Sequence, residues 1–282
     1  LASYKEILMT QYQVLRRDYE QATWLHKQDD ITIRETPLEV DKRSPIIIGG
    51  DVLDPIVRRF LNINQPAIYI SRGYLGNHLY KTRRWWRYSI NGWANTKIRK
   101  IPHSRWKLLD LPMHPWKVKQ VKNVLLAPSK LTSRIWDPVY EDKWIYEIGK
   151  NFPGAEIKIR PKESTPNERW QTLWQDLDWA DLVVAQGSAI TAEAFWYGKK
   201  VISLYPCTTW ITGKQSIENW QDPAEPPLRN LWHEHVAWSQ FTNEELHSGE
   251  ALRLIKLYYG NILSYNPDYR YNLEDLKFLN KF

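Results

Sequence analysis

The sequence predicts an α/β fold made of two Rossmann-like domains, and three observations carry that expectation. Short β-branched runs recur along the chain, each stopped by glycine or a polar turn and then followed by a stretch of helical period. The length, 282 residues, exceeds an ordinary single domain and suits two. The strand–helix pattern also restarts near Asn123, which divides the chain into a basic half over residues 1–120 and a second half over residues 121–282 that closes in helices.

Taken in order, Tyr4, Ile7, Leu8, Tyr12, Leu15 and Tyr19 keep the helical period and predict an amphipathic helix over residues 3–23. Ile31–Arg34 reads as a short strand. Pro45-Ile46-Ile47-Ile48, stopped by Gly49 and Gly50, is a clearer one. Asp54-Pro55 has the form of an N-cap with proline at the first helical position and predicts a helix through Leu61. Strands follow at Pro66–Ile70 and Trp85–Ile90. In the second half, Val124–Ala127 is a strand and Asp137-Pro138 opens a helix that ends near Gly149. Ile157–Arg160 is a strand, and residues 167–177 form a helix with Trp170 and Leu173 on one side. Leu182–Ala185 is a strand, Ser188 caps a helix that stops at Gly198, and Val201–Leu204 is one more strand. Short apolar strands, each followed by a helix, argue for a parallel sheet covered on both faces. Asp222 to Pro227 is a proline-rich loop, and Thr242-Asn243-Glu244-Glu245 has the form of a capping box.

Composition excludes several classes. With 43% hydrophobic and 25% charged residues, global disorder is out. A single cysteine, Cys207, excludes an intrachain disulfide and a four-cysteine zinc site. No apolar run approaches the ~20 residues of a membrane span, no signal peptide is visible, and no basic amphipathic helix points to a membrane surface. The expectation is a cytoplasmic protein without a membrane partner. Charge is unevenly spread: Pro55 to Leu109 holds twelve Lys/Arg and no Asp or Glu, whereas Val201 to Glu250 holds two against seven. An acid-free run of that length sets up a positive field that concentrates polyanions.

The chemistry-bearing segment runs from Ala180 to Ile202. A buried strand ends at Ala185, Gln186-Gly187 make a tight turn, and Ser188 starts a helix with Thr191 and Glu193 in its first turns. Backbone N–H groups, a helix dipole and a hydroxyl would converge there on a phosphate, and a carboxylate could reach a ribose diol. An ordinary βα unit with a serine cap would read the same way. The run DLVVAQGSAITAEAFWYGKKVISL resembles the donor-site segment of GT-B glycosyltransferases of the capsule-synthesis and Kdo-transfer type. The upstream IKIRPKES resembles the Arg-Pro-Lys segment that precedes it in such enzymes. The resemblance implies a GT-B-like pair of domains facing across a cleft, the second binding a nucleotide-diphosphate sugar, UDP-linked. It implies donor contacts from Ser129, Arg160, Lys162, Gln186, Gly187, Ser188, Thr191 and Glu193, with Arg160 and Lys162 at the diphosphate and Glu193 at the ribose. The nucleotide sugar is then a co-substrate, with no separate cofactor and no metal.

In the basic half, PAIYISRGYLGN and RRWWRYSINGW, and later LWHEHVAWSQFTNEELHSGEAL, are similar to segments of phage-encoded proteins identified as glycosyltransferases of modified DNA bases. That resemblance implies a hydroxymethylated base in duplex DNA as acceptor, in a host cytoplasm. Arg72, Lys81, Arg83, Arg84, Trp85, Trp86, Arg87, Lys97 and Arg99 offer guanidinium and ammonium groups for phosphates and indoles for stacking. As a strand, Trp85, Arg87 and Ser89 share one face and Trp86 and Tyr88 the other, so one indole packs inside and one lies outside. A cell-envelope glycan as acceptor, or a non-catalytic nucleic-acid-binding module, are the alternatives.

Catalysis would rest on stabilising the departing diphosphate with Arg160, Lys162 and the turn at Ser188. Asp51, after the Gly49-Gly50 turn, is the candidate base for an inverting reaction, and a turn role for it is equally open. Asp176-Leu177-Asp178 matches an Asp-x-Asp metal motif but reads as solvated carboxylates at a helix end, and His233-Glu234-His235 lacks standard metal-ligand spacing.

Overall fold

The computed structural model describes residues 12–15, 31–34, 45–49, 67–75, 85–90, 105–128, 138–160, 166–186, 188–204, 207–212 and 216–259. The chain divides into two compact units, residues 1–95 with 238–274 and residues 96–237 with 275–282. The sequence places the divide near residue 120 and leaves the C-terminal stretch in the second half. The contacts place it earlier and return residues 238–274 to the first unit, because a late strand pairs there.

The first unit carries β1 (Tyr12–Leu15), β2 (Ile31–Arg34), β3 (Ile46–Gly49), β4 (Ala67–Arg72), β5 (Trp85–Ile90) and β10 (Gln240–Thr242). They lie in the order β10-β5-β4-β3-β1-β2. The pairs β1–β2, β1–β3 and β3–β4 are parallel, whereas β4–β5 and β5–β10 are antiparallel. The helix expected over residues 3–23 is therefore interrupted at Tyr12–Leu15, which is β1. Four residues, Tyr-Gln-Val-Leu, fit either period, and ladders with β2 and β3 on both sides decide for the strand. The helix expected after Asp54-Pro55 lies outside the described residues. The capping box is formed: Thr242 accepts from the Glu245 N–H and Glu245 from the Thr242 N–H, opening the short helix Asn243–His247.

The second unit holds β6 (Asn123–Ala127), β7 (Glu156–Ile159), β8 (Leu182–Ala185) and β9 (Lys200–Ser203), all parallel in the order β7-β6-β8-β9. Numbering the described helices in chain order, α1 is Arg105–Leu108, α2 Pro138–Gly149, α3 Pro166–Trp179, α4 Ile190–Trp196 and α5 Arg229–Trp238. Pro138 and Pro166 each open a helix where a missing N–H costs nothing. Every residue of β8 and β9 is buried; β8 reads as an unbroken apolar run, whereas β9 holds Val201 and Ile202 between Lys200, whose ammonium donates to the Asn219 carbonyl, and Ser203. Val124, Leu126, Trp144, Ile148, Phe152, Leu182, Val184 and Ile202 form the core of this unit.

Asp181 locks the register at the N-terminal end of that sheet. Its carboxylate accepts from the Lys122 and Asn123 N–H groups at 3.0 Å each, and its own N–H donates to the Asn123 carbonyl at 2.9 Å. Gly198 ends α4 with φ +90°, and its carbonyl accepts from the Lys117 N–H at 2.9 Å. A Cβ there would collide with the Pro115 carbonyl oxygen. Gly198→Ala is expected to destabilise the protein by about 2–3 kcal/mol or more, read as the shift in a urea midpoint, since both the left-handed backbone and the close approach demand glycine.

Candidate donor site at the switch point of the second sheet

Strand order in the second sheet reverses at β6: the chain goes from β6 to β7 on one side, then crosses to β8 on the other. The connections leaving the paired strands β6 and β8 lead to opposite sides of the sheet there, and in open α/β sheets the crevice between such connections is where ligands bind. The sequence candidates fall at these strand ends. Gln186 follows β8, is buried and leads into Ser188, while Arg160 follows β7. Ser129, two residues after β6, lies outside the described residues, as do Lys162, Gly187 and Asp51.

Ser188 does not cap the helix as expected. The N-cap of α4 is Ala189, with no side-chain cap, and the Ser188 carbonyl accepts from the Thr191 N–H at 3.1 Å and the Thr191 hydroxyl at 2.7 Å. Thr191 thus closes the turn on itself, and its hydroxyl is spent there. The helix starts one residue later than expected and is seven residues long, buried on every side. Glu193 lies in the first turn of α4, as expected, and its side chain is only 6% exposed.

Arg160 is held from behind. Its guanidinium is ion-paired with Asp176 on α3 and donates to the Thr172 hydroxyl at 3.2 Å, and Lys158 reaches the other Asp176 oxygen at 2.5 Å. Asp176 is 5% exposed, so it is a buried counter-ion rather than a solvated carboxylate. Asp178 is exposed and accepts from the Tyr197 hydroxyl at 2.6 Å, an arrangement that, with burial, pushes the phenol up to about 12. Both carboxylates of the Asp-x-Asp pattern therefore serve side chains of this chain. His233 is buried on α5 with its Nε2 2.8 Å from the Leu111 carbonyl oxygen, and His235 lies two residues on along the same helix.

Two residues were not singled out by sequence reasoning. Arg229 is fully buried on α5 and donates to the carbonyls of His114, Phe195 and Trp196, with Glu225 as its ion-pair partner at 2.8 Å. It clamps the C-terminal end of α4, and its carbonyl partners lie as many as 115 residues away, so no local pattern announces it. Thr208 lies in the 3₁₀ turn Thr208–Thr212 that follows β9 and packs against α4, and its hydroxyl is buried without a hydrogen-bond partner. A Cys-Thr-Thr run beyond a strand carries no recognised signature.

In the first unit, Trp85 is a core residue, 1% exposed. Trp86 is half-buried and donates its indole N–H to Asn243 at 2.7 Å, which makes it a packing anchor as well. Arg87 is half-buried with its guanidinium over the rings of Tyr69 and Tyr74. Arg72 is described only as the last residue of β4, and Lys81, Arg83, Arg84, Lys97 and Arg99 lie outside the described residues.

No protein-family model matches the chain, and no curated protein sequence does. Among solved structures, KpsC of Thermosulfurimonas dismutans, a β-Kdo 2,7 transferase, matches with TM-score 0.52 at 11% identity. The match covers 88% of this chain and 99% of that one. In fold, the chain is similar to a Kdo transferase. The KpsC β-Kdo 2,4 transferase of the same organism matches with TM-score 0.47 at 14% identity, over 83% of this chain and 92% of that one. The architecture of mixed α/β units with parallel sheets is thus shared with a glycosyltransferase, while the donor-segment resemblance covers the stretch from Ala180 onward.

Two outcomes test this site. Asp176→Asn should cost about 3–5 kcal/mol in a urea titration, because it strands Arg160 in a buried setting, whereas Asp178→Asn at the surface should change the midpoint little. Burial pushes the His233 imidazole below its ordinary 6.5, as it does His114. The unfolded chain then takes up protons that the folded one refuses, so stability present above that value falls as pH drops. The melting temperature should decline between about pH 7 and about pH 5, and less steeply in His233→Gln.

Proposed function

We propose that this chain is a glycosyltransferase that moves a sugar from a nucleotide-activated donor, held at the ends of β6 and β8, to a hydroxyl of a cell-envelope glycan. The observation that carries the reading is the fold likeness to a Kdo transferase over 99% of that chain, with the donor-like segment falling at the switch point. The acid-free run from Pro55 to Leu109 suits an acidic acceptor.

The chemistry asked of the site is modest. A sugar–phosphate bond breaks, negative charge grows on the departing nucleotide, and groups aimed at that charge lower the barrier. Arg160, already balanced by Asp176, serves in this scheme as a rigid positioning group at the end of β7, and Lys162, two residues on in the sequence, is the candidate for a second positive charge at the diphosphate. Thr208 offers a buried hydroxyl whose partner would be the donor. Duplex DNA is the second reading of the acceptor, favoured by the same basic run; anchoring of Trp86 to Asn243 weakens it, since a stacking indole must be free to meet a base.

Titration with UDP-, GDP- and CMP-linked sugars, followed by transfer assays on an acidic oligosaccharide and on hydroxymethylated duplex DNA, tests the proposal. Donor binding with transfer to the oligosaccharide is the expected result. Transfer to DNA alone would return the acceptor to nucleic acid, and no donor binding at all would remove the transferase reading. Thr208→Val should leave the melting temperature unchanged or raised, because it deletes an unpaired buried hydroxyl, yet weaken donor binding about tenfold.

A further inference from the structure

We propose that Arg87 binds the carboxylate of an acidic sugar on the acceptor; this deepens the glycan reading above and rests on it. Arg87 lies in the middle of β5, opposite Ser71 of β4 and Gln240 of β10. Residues directly opposite share a face, so Arg87, Ser71 and Gln240 look the same way, with Tyr69 two residues along from Ser71. The guanidinium carbon sits 5.0 Å from the Tyr74 ring centroid and 5.7 Å from that of Tyr69. Its Nε is buried and has no hydrogen-bond partner, and the guanidinium makes no ion pair with a described residue. A half-buried guanidinium without an oxygen acceptor is the exception among arginines, which are normally paired when they leave water.

The surround is built and held. Gly73 donates its N–H to the Trp85 carbonyl at 3.0 Å, and a Cβ on Gly73 would lie 2.7 Å from the Trp85 Cβ, so the turn after β4 is pressed onto β5. Gln240 Oε1 accepts from the Tyr74 and Leu75 N–H groups at 3.0 Å each, and its Nε2 donates to the Leu75 carbonyl at 3.3 Å. The Tyr74 hydroxyl is within hydrogen-bond distance of Ser89 at 3.3 Å. These bonds fix the Tyr74 ring over which the guanidinium sits.

The ligand class follows from what is already spent. The three N–H groups of the turn, Gly73 to Leu75, all have partners, so the backbone cradle that a phosphate uses is not offered there. What remains is a planar fork of donors with one positive charge, beside the half-buried Ser71. That matches one planar carboxylate, bound through parallel N–H···O bonds. No Asp or Glu occurs from Pro55 to Leu109, so the neighbouring sequence does not supply that carboxylate.

Ligand-observed NMR on the full chain tests this with glucuronate as probe, and glucose, inorganic phosphate and a duplex oligonucleotide as comparisons. Glucuronate should bind wild type in preference to glucose and phosphate, lose at least tenfold in affinity with Arg87→Gln, and lose less with Arg87→Lys. Melting curves accompany each variant, and should Arg87→Gln fail to fold, Arg87→Lys decides: it keeps the charge but not the fork, so the preference for glucuronate over phosphate should shrink. Equal glucuronate affinity in wild type and the folded variant, no glucuronate binding, or an Arg87-dependent preference for phosphate or duplex DNA each overturns the assignment. A donor titration on the same sample separates the two claims. Donor binding without glucuronate binding sinks this inference alone; glucuronate binding without any donor binding sinks the transferase reading alone.

Discussion

The second unit depends on how the C-terminal end of α4 is held. A seven-residue helix buried on all sides cannot be stable by propensity, and its last two carbonyls, Phe195 and Trp196, each take one backbone N–H, from Gly198 and His114, with a second lone pair left to fill away from water. Arg229 supplies the answer with one group: its guanidinium meets the carbonyls of Phe195 and Trp196 and ties them to His114. A cation at that end also complements the helix dipole. Gly198 then turns the chain so that Lys117 can bond to it, which places β9 directly after the helix. With α4 fixed, Gln186 and Ser188 at the end of β8 and Thr208 after β9 are fixed too. Breaking so many carbonyl contacts at once, in a site where water cannot replace them, is the costliest kind of single change.

Much of this architecture is legible in the sequence because its signals are local. The strands from Val124 to Ser203 are short and punctuated, with β6 and β8 the most apolar, and the helices at Pro138 and Pro166 open on proline. The capping box at Thr242 and Glu245 needs only four residues to specify it. Tyr12–Leu15 was ambiguous for the opposite reason: four residues cannot discriminate a period of 3.6 from one of 2, and the deciding partners, β2 and β3, lie far along the chain. The late β10 strand shows the same limit, since Gln240–Thr242 is a strand only by pairing with β5.

The site was legible to a lesser degree. The candidate turn after β8 is marked in the sequence by a strand stopped by Gln-Gly-Ser, and β8 lies beside the point where strand order reverses. The roles of individual residues did not follow. Ser188 resembles a cap, but the helix begins after Ala189 and Thr191 takes the Ser188 carbonyl. Asp176 resembles a surface carboxylate at a helix end, yet α3 packs that end against β7, where Arg160 and Lys158 converge on it. Burial decides whether a carboxylate is solvated or a counter-ion, and burial is a property of the assembled sheet.

Three arginines show what the fold does with buried positive charge. Arg160 is answered by Asp176 and Arg229 by Glu225 and a ring of carbonyls, so each desolvation cost is offset within the chain. Among the described residues, Arg87 is answered by two tyrosine rings. A cation–π contact returns about 0.5–2 kcal/mol, against about 1–3 kcal/mol for leaving a buried donor unpaired, so the resting state of Arg87 is at best near balance. A fold that pairs Arg160 and Arg229, and gives buried Arg105 the Ala237 carbonyl at 2.9 Å, had the means to pair this one. Placing an unpaired guanidinium on a braced sheet, inside the stretch of chain with no acidic residue, keeps its donors for an anion that arrives from outside.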